Sequence, residues 1–188
     1  MSELKITTPL KDEDLEKIKS GDRLLISGII YTARDAAHSR LVKTIEECKD
    51  LPFDIKGAVV YFAGPSPTRP GKVIGAIGPT TSYRMDTYSP LLIKMGLKGM
   101  IGKGPRSKEV KEAMVKYKAI YCAATGGAAA LLSRCVKEAN VIAYEDLGPE
   151  AIRRLLVEDF PVFVINDIFG NDLYESSRIK YAKPSAYF

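Results

Sequence analysis

Residues 97–124 read LKGMIGKGPRSKEVKEAMVKYKAIYCAA, and the rhythm of this stretch decides the fold class. LKGMIGKG (97–104) is short, apolar and glycine-rich, as a strand buried on both faces would be. SKEVKEAMVKYK (107–118) then sets charges around an apolar stripe, with Ser107 placed to cap a helix. AIYCAA (119–124) returns as a second buried strand. Strand, helix and strand joined this tightly predict parallel neighbours connected by a right-handed crossover.

The rhythm extends in both directions. Downstream, helices are expected at GGAAALLSRCVKE (126–138) and PEAIRRLLVED (149–159), with strands at NVIAYE (140–145) and FPVFVIND (160–167). Upstream, a helix is expected at about 86–95 and a short amphipathic one in LKDEDLEKIKSGD (10–22). DRLLISGIIYTA (22–33) reads as a strand with Gly28 inside it. DAAHSRLVKTIEECKD (35–50) lines up Ala37, Leu41, Ile45 and Cys48 on one helix face, with Asp35 positioned as its cap. KGAVVYFAG (56–64) and KVIGAIG (72–78) flank the proline-rich PSPTRPG (65–71) too closely for a helix, so a hairpin-like, antiparallel excursion is expected. SSRIKYAKPSAYF (176–188) has no clear period. The expectation is an α/β fold in a single domain spanning 1–188, with about 178–188 as a tail.

Composition narrows the function classes. Hydrophobic residues at 46% and charged residues at 27%, without a polar tract, indicate a globular chain rather than a disordered one. LLISGII and GAVVYFAG fall far short of the roughly 20 apolar residues that span a bilayer. Acidic residues interrupt the first fourteen positions, so no signal peptide is read there and a cytoplasmic location is expected, with no membrane partner. The net charge of +5 is scattered among acids, which argues against nucleic acid and is compatible with a site for small dianions. Cys48, Cys122 and Cys135 lie far apart without a CxxC pair, so neither a zinc knuckle nor a complete cluster site is expected, and each is read as core.

Chemistry-bearing residues gather where strands end. YTARDAAHSR puts Arg34, Asp35 and His38 at one strand-to-helix junction, where ligands of α/β sheets bind. AIGPTTSYRMD (76–86) brings Thr80, Thr81, Ser82 and Arg84 to another, and backbone N–H groups and hydroxyls there could converge on an anion. MIGKGPRS supplies Lys103, although it lacks the spacing of a phosphate-binding P-loop. AATGGAAALLSR offers Thr125, Gly126 and Gly127, read as close packing. Taken singly, each feature also fits a capped turn or a solvated charge. Arg34, Arg84 and Lys103 together describe a receptor for a small polycarboxylate.

GIIYTARDAAH, YFAGPSP, GPTTSYRMD, IGKG and AATGGAAAL, in this order, closely resemble the β subunit, or C-terminal domain, of class I iron-sulfur fumarate hydratases and the related L-tartrate dehydratases. The resemblance runs from about residue 8 to 178. It implies a swivelling β/β/α three-layer domain with a mainly parallel central sheet and a smaller antiparallel sheet. It also implies an α subunit that carries a [4Fe-4S] cluster with one open iron acting as Lewis acid, an α2β2 assembly, and a C4 dicarboxylate substrate. Carried over by motif, Arg34, Thr80, Thr81, Arg84 and Lys103 hold the dicarboxylate, and all five are present. Thr80 or Thr81 is assigned proton transfer at the adjacent carbon, and His38 or Asp35 the orienting of Arg34. The implied reaction is reversible hydration of fumarate to (S)-malate. The alternatives are L-tartrate dehydration by the same machinery, and an anion-binding or regulatory module without catalysis.

Overall fold

Apolar, β-branched runs separated by helices or longer segments produce four parallel pairings in succession. In the computed structural model, which describes residues 3–182, β1 (Glu3–Thr7), β2 (Arg23–Thr32), β3 (Val59–Tyr61), β4 (Gly99–Gly102) and β5 (Ile120–Ala123) lie side by side in chain order, all parallel. β6 (Val136–Ala143) and β7 (Ile152–Asn166) are antiparallel additions. β7 pairs with β5 along one edge and with β2 along the other, so β2, β3, β4, β5 and β7 close into a ring. The antiparallel part is therefore not a separate sheet: all seven strands form one hydrogen-bonded sheet.

Two cores follow from the alternation of side chains along each strand. Leu24, Ile26 and Ile30 of β2, Val59 and Tyr61 of β3, Ile101 of β4, Ile120 and Cys122 of β5, and Leu155 to Val164 of β7 share one cluster inside the ring. The opposite face gives Val60, Met100, Tyr121 and Ile165, which pack with helices α2 (Asp35–Glu46), α3 (Ser89–Lys94) and α4 (Lys108–Tyr117). Leu41 of α2 is fully buried there, and truncating such a leucine to alanine costs about 2–5 kcal/mol. The remaining helices are short α1 (Asp12–Leu15) and α5 (Ala129–Leu132), and α6 (Leu173–Tyr181). Among the described residues, no helix is long and apolar enough to cross a membrane.

Several expectations are corrected. The helix read at 149–159 is part of the 15-residue strand β7. Its apolar positions Ile152, Leu155, Val157 and Phe160 imitate helical spacing for a physical reason. Ile152 belongs to the helix-facing core and Leu155 and Val157 to the ring interior, and the register then slips opposite Ile26–Gly28, where Asp159 has φ 47°, so Phe160 also points inward. An irregular strand that changes its buried face loses the period of two on which strand recognition depends.

The helix read at 126–138 shrinks to α5 and a 3-10 turn, Ser133–Cys135, and the rest joins β6. KVIGAIG forms no strand: Tyr61 Oη donates to the Ile77 carbonyl and Ser66 N to the Ala76 carbonyl, an antiparallel bridge pairs Ala63 with Pro79 just beyond it, and Ile74 and Ile77 are buried inside the ring. The helix expected at about 86–95 is α3, shortened to Ser89–Lys94, with a separate 3-10 turn, Ser82–Met85, before it. β1 was not anticipated. Part of the expected tail is helix α6, and residues 183–188 lie outside the described residues. Of the cysteines, only Cys122 is core, since Cys48 is exposed and Cys135 half-buried.

Candidate active site

Because β2, β3 and β4 run parallel, their carboxyl ends open onto one edge, and the chain leaves them at Ala33–Arg34, Phe62–Gly64 and Lys103. Arg34 occupies the N-cap position of α2, so Asp35 is the first helical residue and does not cap. Asp35 instead reaches across to the next loop: its Oδ1 accepts from Arg84 Nε at 2.8 Å, while Oδ2 is buried without a partner. Arg34 Nη2 lies 3.3 Å from Glu150 Oε1, and Glu150 Oε2 accepts from the Ala36 N–H at 3.2 Å. Arg34 Nε is buried and unpartnered. The arginine lies over Gly64, where an added Cβ would meet the Pro149 carbonyl oxygen at 2.9 Å and Arg34 Nη1 at 3.3 Å. Glycine there lets the side chain pass.

His38 is fully buried. Its Nδ1 lies 2.9 Å from the Arg34 carbonyl, which can only accept, so Nδ1 carries the proton and Nε2 presents a lone pair. Nε2 has no partner. The ring meets Phe62 edge-on at 5.2 Å. Burial pulls the imidazole down to about 4, so it is neutral at pH 7. It therefore contacts the backbone of Arg34 rather than the guanidinium.

The second loop folds back onto β4. Thr80 N donates to the Phe62 carbonyl at 2.6 Å, Lys103 N to the Thr80 carbonyl at 3.2 Å, and Ser82 N to the Lys103 carbonyl at 2.8 Å, with Thr81 bridged in parallel to Lys103. These bonds correct two expectations for the stretch 76–86. The N–H groups of Thr80 and Ser82 are used within the protein and do not face an anion, and the buried Ser82 hydroxyl points to Tyr121 instead. The half-buried Thr80 and Thr81 hydroxyls make no hydrogen bond among the described residues. Arg84 is 44% exposed, and Lys103 is exposed without an ion-pair partner among the described residues.

Sequence reading missed Glu150 and Arg106. Glu150 lies in the 3-10 segment Glu145–Glu150, 116 positions from the arginine it meets, and nothing local marks it. Asp86 and Arg106 pair at 2.7 Å beneath the loops, so Asp86 is not the solvent-facing acid that its turn context suggests. Gly126 and Gly127 are exposed, with nothing within 4 Å of an added Cβ, so the packing read for them is absent. Clefts of about 430 and about 580 Å3 flank the loop 65–76, and neither is lined by Arg34, Thr80, Thr81, Arg84 or Lys103. The exposed Arg84 and Lys103 and the half-buried Arg34 form a shelf at this edge.

That shelf can fix a dianion by charge-assisted forks and a point charge. Its donor set does not fit an iron-sulfur cluster. Cys122 lies inside the ring with burial pushing its thiol up, Cys135 is raised for the same reason, and no group of three or more His, Cys, Asp or Glu that could hold a metal occurs among the described residues.

The family model described as fumarase C-terminus matches residues 1–177. A Methanocaldococcus jannaschii protein provisionally named L(+)-tartrate dehydratase subunit beta is 40% identical over 177 residues, covering 91% of each chain. The anaerobic class I fumarate hydratase of Escherichia coli K12 is 39% identical over 174 residues, 90% of this chain and 32% of that protein. Fumarate hydratase 2 of Leishmania major is 36% identical over 167 residues, 88% of this chain and 29% of that one. The chain spans about a third of the length of the fumarate hydratases it matches.

Proposed function

The chain belongs to the fumarase C-terminus family, and from that premise we propose that it is the β component of a two-component hydro-lyase that interconverts fumarate and (S)-malate. The carrying observation is the meeting of the loops that bear Arg34, Thr80, Thr81, Arg84 and Lys103, with Thr81 bridged to Lys103 and Arg84 paired with Asp35 beside Arg34, at the ends of parallel strands. In this reading the [4Fe-4S] cluster resides on an α chain, the two chains assemble as α2β2, and this chain is a swivelling domain that closes its shelf against the α chain. The poor fit of its own cysteines to a cluster is in keeping with that division.

The chain's residues bind and orient. Arg34 and Arg84 offer planar forks to the two carboxylates, each fork held from behind by a carboxylate, Glu150 and Asp35. Addition of water across an unsaturated dicarboxylate places negative charge on the carboxylate next to the carbanionic carbon. Arg84 and Lys103 stabilise that charge where it develops, and closure against a second chain strengthens the effect by excluding water. The proton at the same carbon is exchanged at the Thr80 or Thr81 hydroxyl, neither of which makes a hydrogen bond among the described residues. A threonine hydroxyl is a weak base, so a neighbouring group must activate it. His38 fixes the Arg34 backbone through its carbonyl.

Co-expression with a cluster-bearing α chain under anaerobic conditions tests the reading. Loss of fumarate absorbance with formation of malate supports it. Turnover of L-tartrate alone would assign the dehydratase alternative, which the matching length of the Methanocaldococcus jannaschii relative favours. No turnover of fumarate, malate or tartrate by the assembled, cluster-loaded pair would leave an anion-binding module. Near-normal turnover in both Thr80→Ala and Thr81→Ala would remove threonine from the proton transfer.

A further inference from the structure

The loops that carry the shelf cations are tied together from below at both ends. At one end, Lys103 N donates to Ser82 Oγ at 3.0 Å. Tyr121 Oη lies 2.9 Å from Ser82 Oγ and donates to the Gly104 carbonyl at 2.8 Å. With the tyrosine proton committed to that carbonyl, Ser82 Oγ–H donates to Tyr121, and the relay runs from Lys103 N–H to Ser82 to Tyr121 to Gly104 in one sense. It grips the Lys103 turn on both sides of the lysine. Gly102 leaves room for the relay, because a Cβ there would collide with Ser82 Oγ.

At the other end, Asp86 accepts from Arg106 Nε at 2.7 Å and from the Ser107 N–H at 2.6 Å. Arg106 is enclosed: Nη2 donates to Ser89 Oγ at 2.6 Å, Nη1 contacts Met100 Sδ at 3.3 Å, and the guanidinium lies 5.2 Å from the Phe62 ring and 5.0 Å from the Tyr121 ring. Tyr121 thus touches both ties. Its ring covers Arg106 and its hydroxyl closes the Ser82 relay.

We propose that Ser82, Tyr121, Asp86 and Arg106 are positioning residues that hold the Thr80–Arg84 loop in register with the Lys103 turn, so that the hydroxyls and cations meet one substrate. This rests on the reading of the shelf as a dicarboxylate clamp. None of the four is a catalytic residue: Ser82 and Tyr121 act through Lys103, and Asp86 and Arg106 through Thr81 and Arg84. Such a network is rigid only while every member is satisfied, and removing one hydroxyl loosens the turn without emptying the core.

The test uses the assembled enzyme with a cluster-bearing α chain and compares Tyr121→Phe, Lys103→Ala and the double variant, with denaturation midpoints measured on each. Tyr121→Phe keeps the ring over Arg106 and is expected to lower kcat/KM about tenfold, mainly through a higher KM. In the Lys103→Ala background the same change is expected to add little, because the group it positions is gone. Arg106→Lys keeps the charge and loses the fork, and is expected to raise KM in the same manner. If Tyr121→Phe only lowers the denaturation midpoint, as Ile18→Val in the buried core would, or if its loss adds fully to that of Lys103→Ala, the positioning role is overturned. If Lys103→Ala leaves activity unchanged, the clamp reading itself falls, and this inference with it. A loss in Lys103→Ala without a KM effect in Tyr121→Phe overturns the inference alone.

Discussion

Lys103 and Arg106 stand three residues apart in one turn and have opposite surroundings. Lys103 is exposed and has no ion-pair partner among the described residues, whereas the Arg106 side chain is 0% exposed and its guanidinium is enclosed by Asp86, Ser89, Met100 and two rings. The two aspartates that join the same loops to arginines differ in the same sense. Asp86 is 13% exposed and uses both oxygens, while Asp35 is 28% exposed and leaves one buried oxygen without a partner. The floor is a completed polar network. At the rim, among the described residues, Arg34 Nε and Asp35 Oδ2 are unmatched and the Thr80 and Thr81 hydroxyls make no hydrogen bond. Native proteins rarely leave buried polar atoms unmatched, and His38 Nε2, behind Arg34, is a third such atom.

The comparison breaks first, and with the largest effect, at Asp86. Asp86→Ala leaves Arg106 charged and buried without its partner, and is expected to cost about 3–5 kcal/mol in chemical denaturation of the isolated chain. A cost as small as that of an exposed ion pair would show that the floor is not the closed network described.

His38, buried behind Arg34, tests the rim's support by pH. In the unfolded chain it titrates near 6.5 and in the folded protein at about 4. The unfolded state therefore binds more protons between these values, and stability is full above pH 6.5, falls as pH drops toward 4, and changes no further below it on account of this group. The loss is about 3 kcal/mol across the window. His38→Leu should flatten that part of the stability profile, and an unchanged slope would contradict the buried, neutral imidazole.

The rim is expected to show the reverse behaviour. A truncated, fully buried charge pair would cost Arg84→Ala on the order of 2–5 kcal/mol of transition-state binding. Since Arg84 is 44% exposed, the lower end applies: kcat/KM of the assembled enzyme should fall about thirtyfold. Unchanged kcat/KM would remove Arg84 from the clamp. The smallest effect is on stability at Lys103. Lys103→Ala should alter the denaturation free energy by about 0.5 kcal/mol or less, and a larger loss would move Lys103 from rim to floor.

The rim was more legible in the sequence than the floor. Arg34, Arg84 and Lys103 each follow a recognisable strand or turn, so local pattern placed them at the edge. Asp86 and Arg106 lie 20 positions apart and look like ordinary turn residues, because their pairing depends on two loops meeting through β4. Glu150 was hidden in the same way, behind a segment read as the start of a helix. The second half of β7 was read as the strand FPVFVIND, but its first half escaped because the slip at Asp159 destroys the alternation, and with it went the closure of the sheet into a ring.

By itself the sequence determined the parallel βαβ core and the ordered cationic turns, because both rest on local periodicity and on glycine and cap chemistry within a few residues. Only the tertiary structure decided which cations are free and which are spent. Desolvation and partner geometry set that difference, and both depend on segments up to 116 positions apart being brought within hydrogen-bond reach.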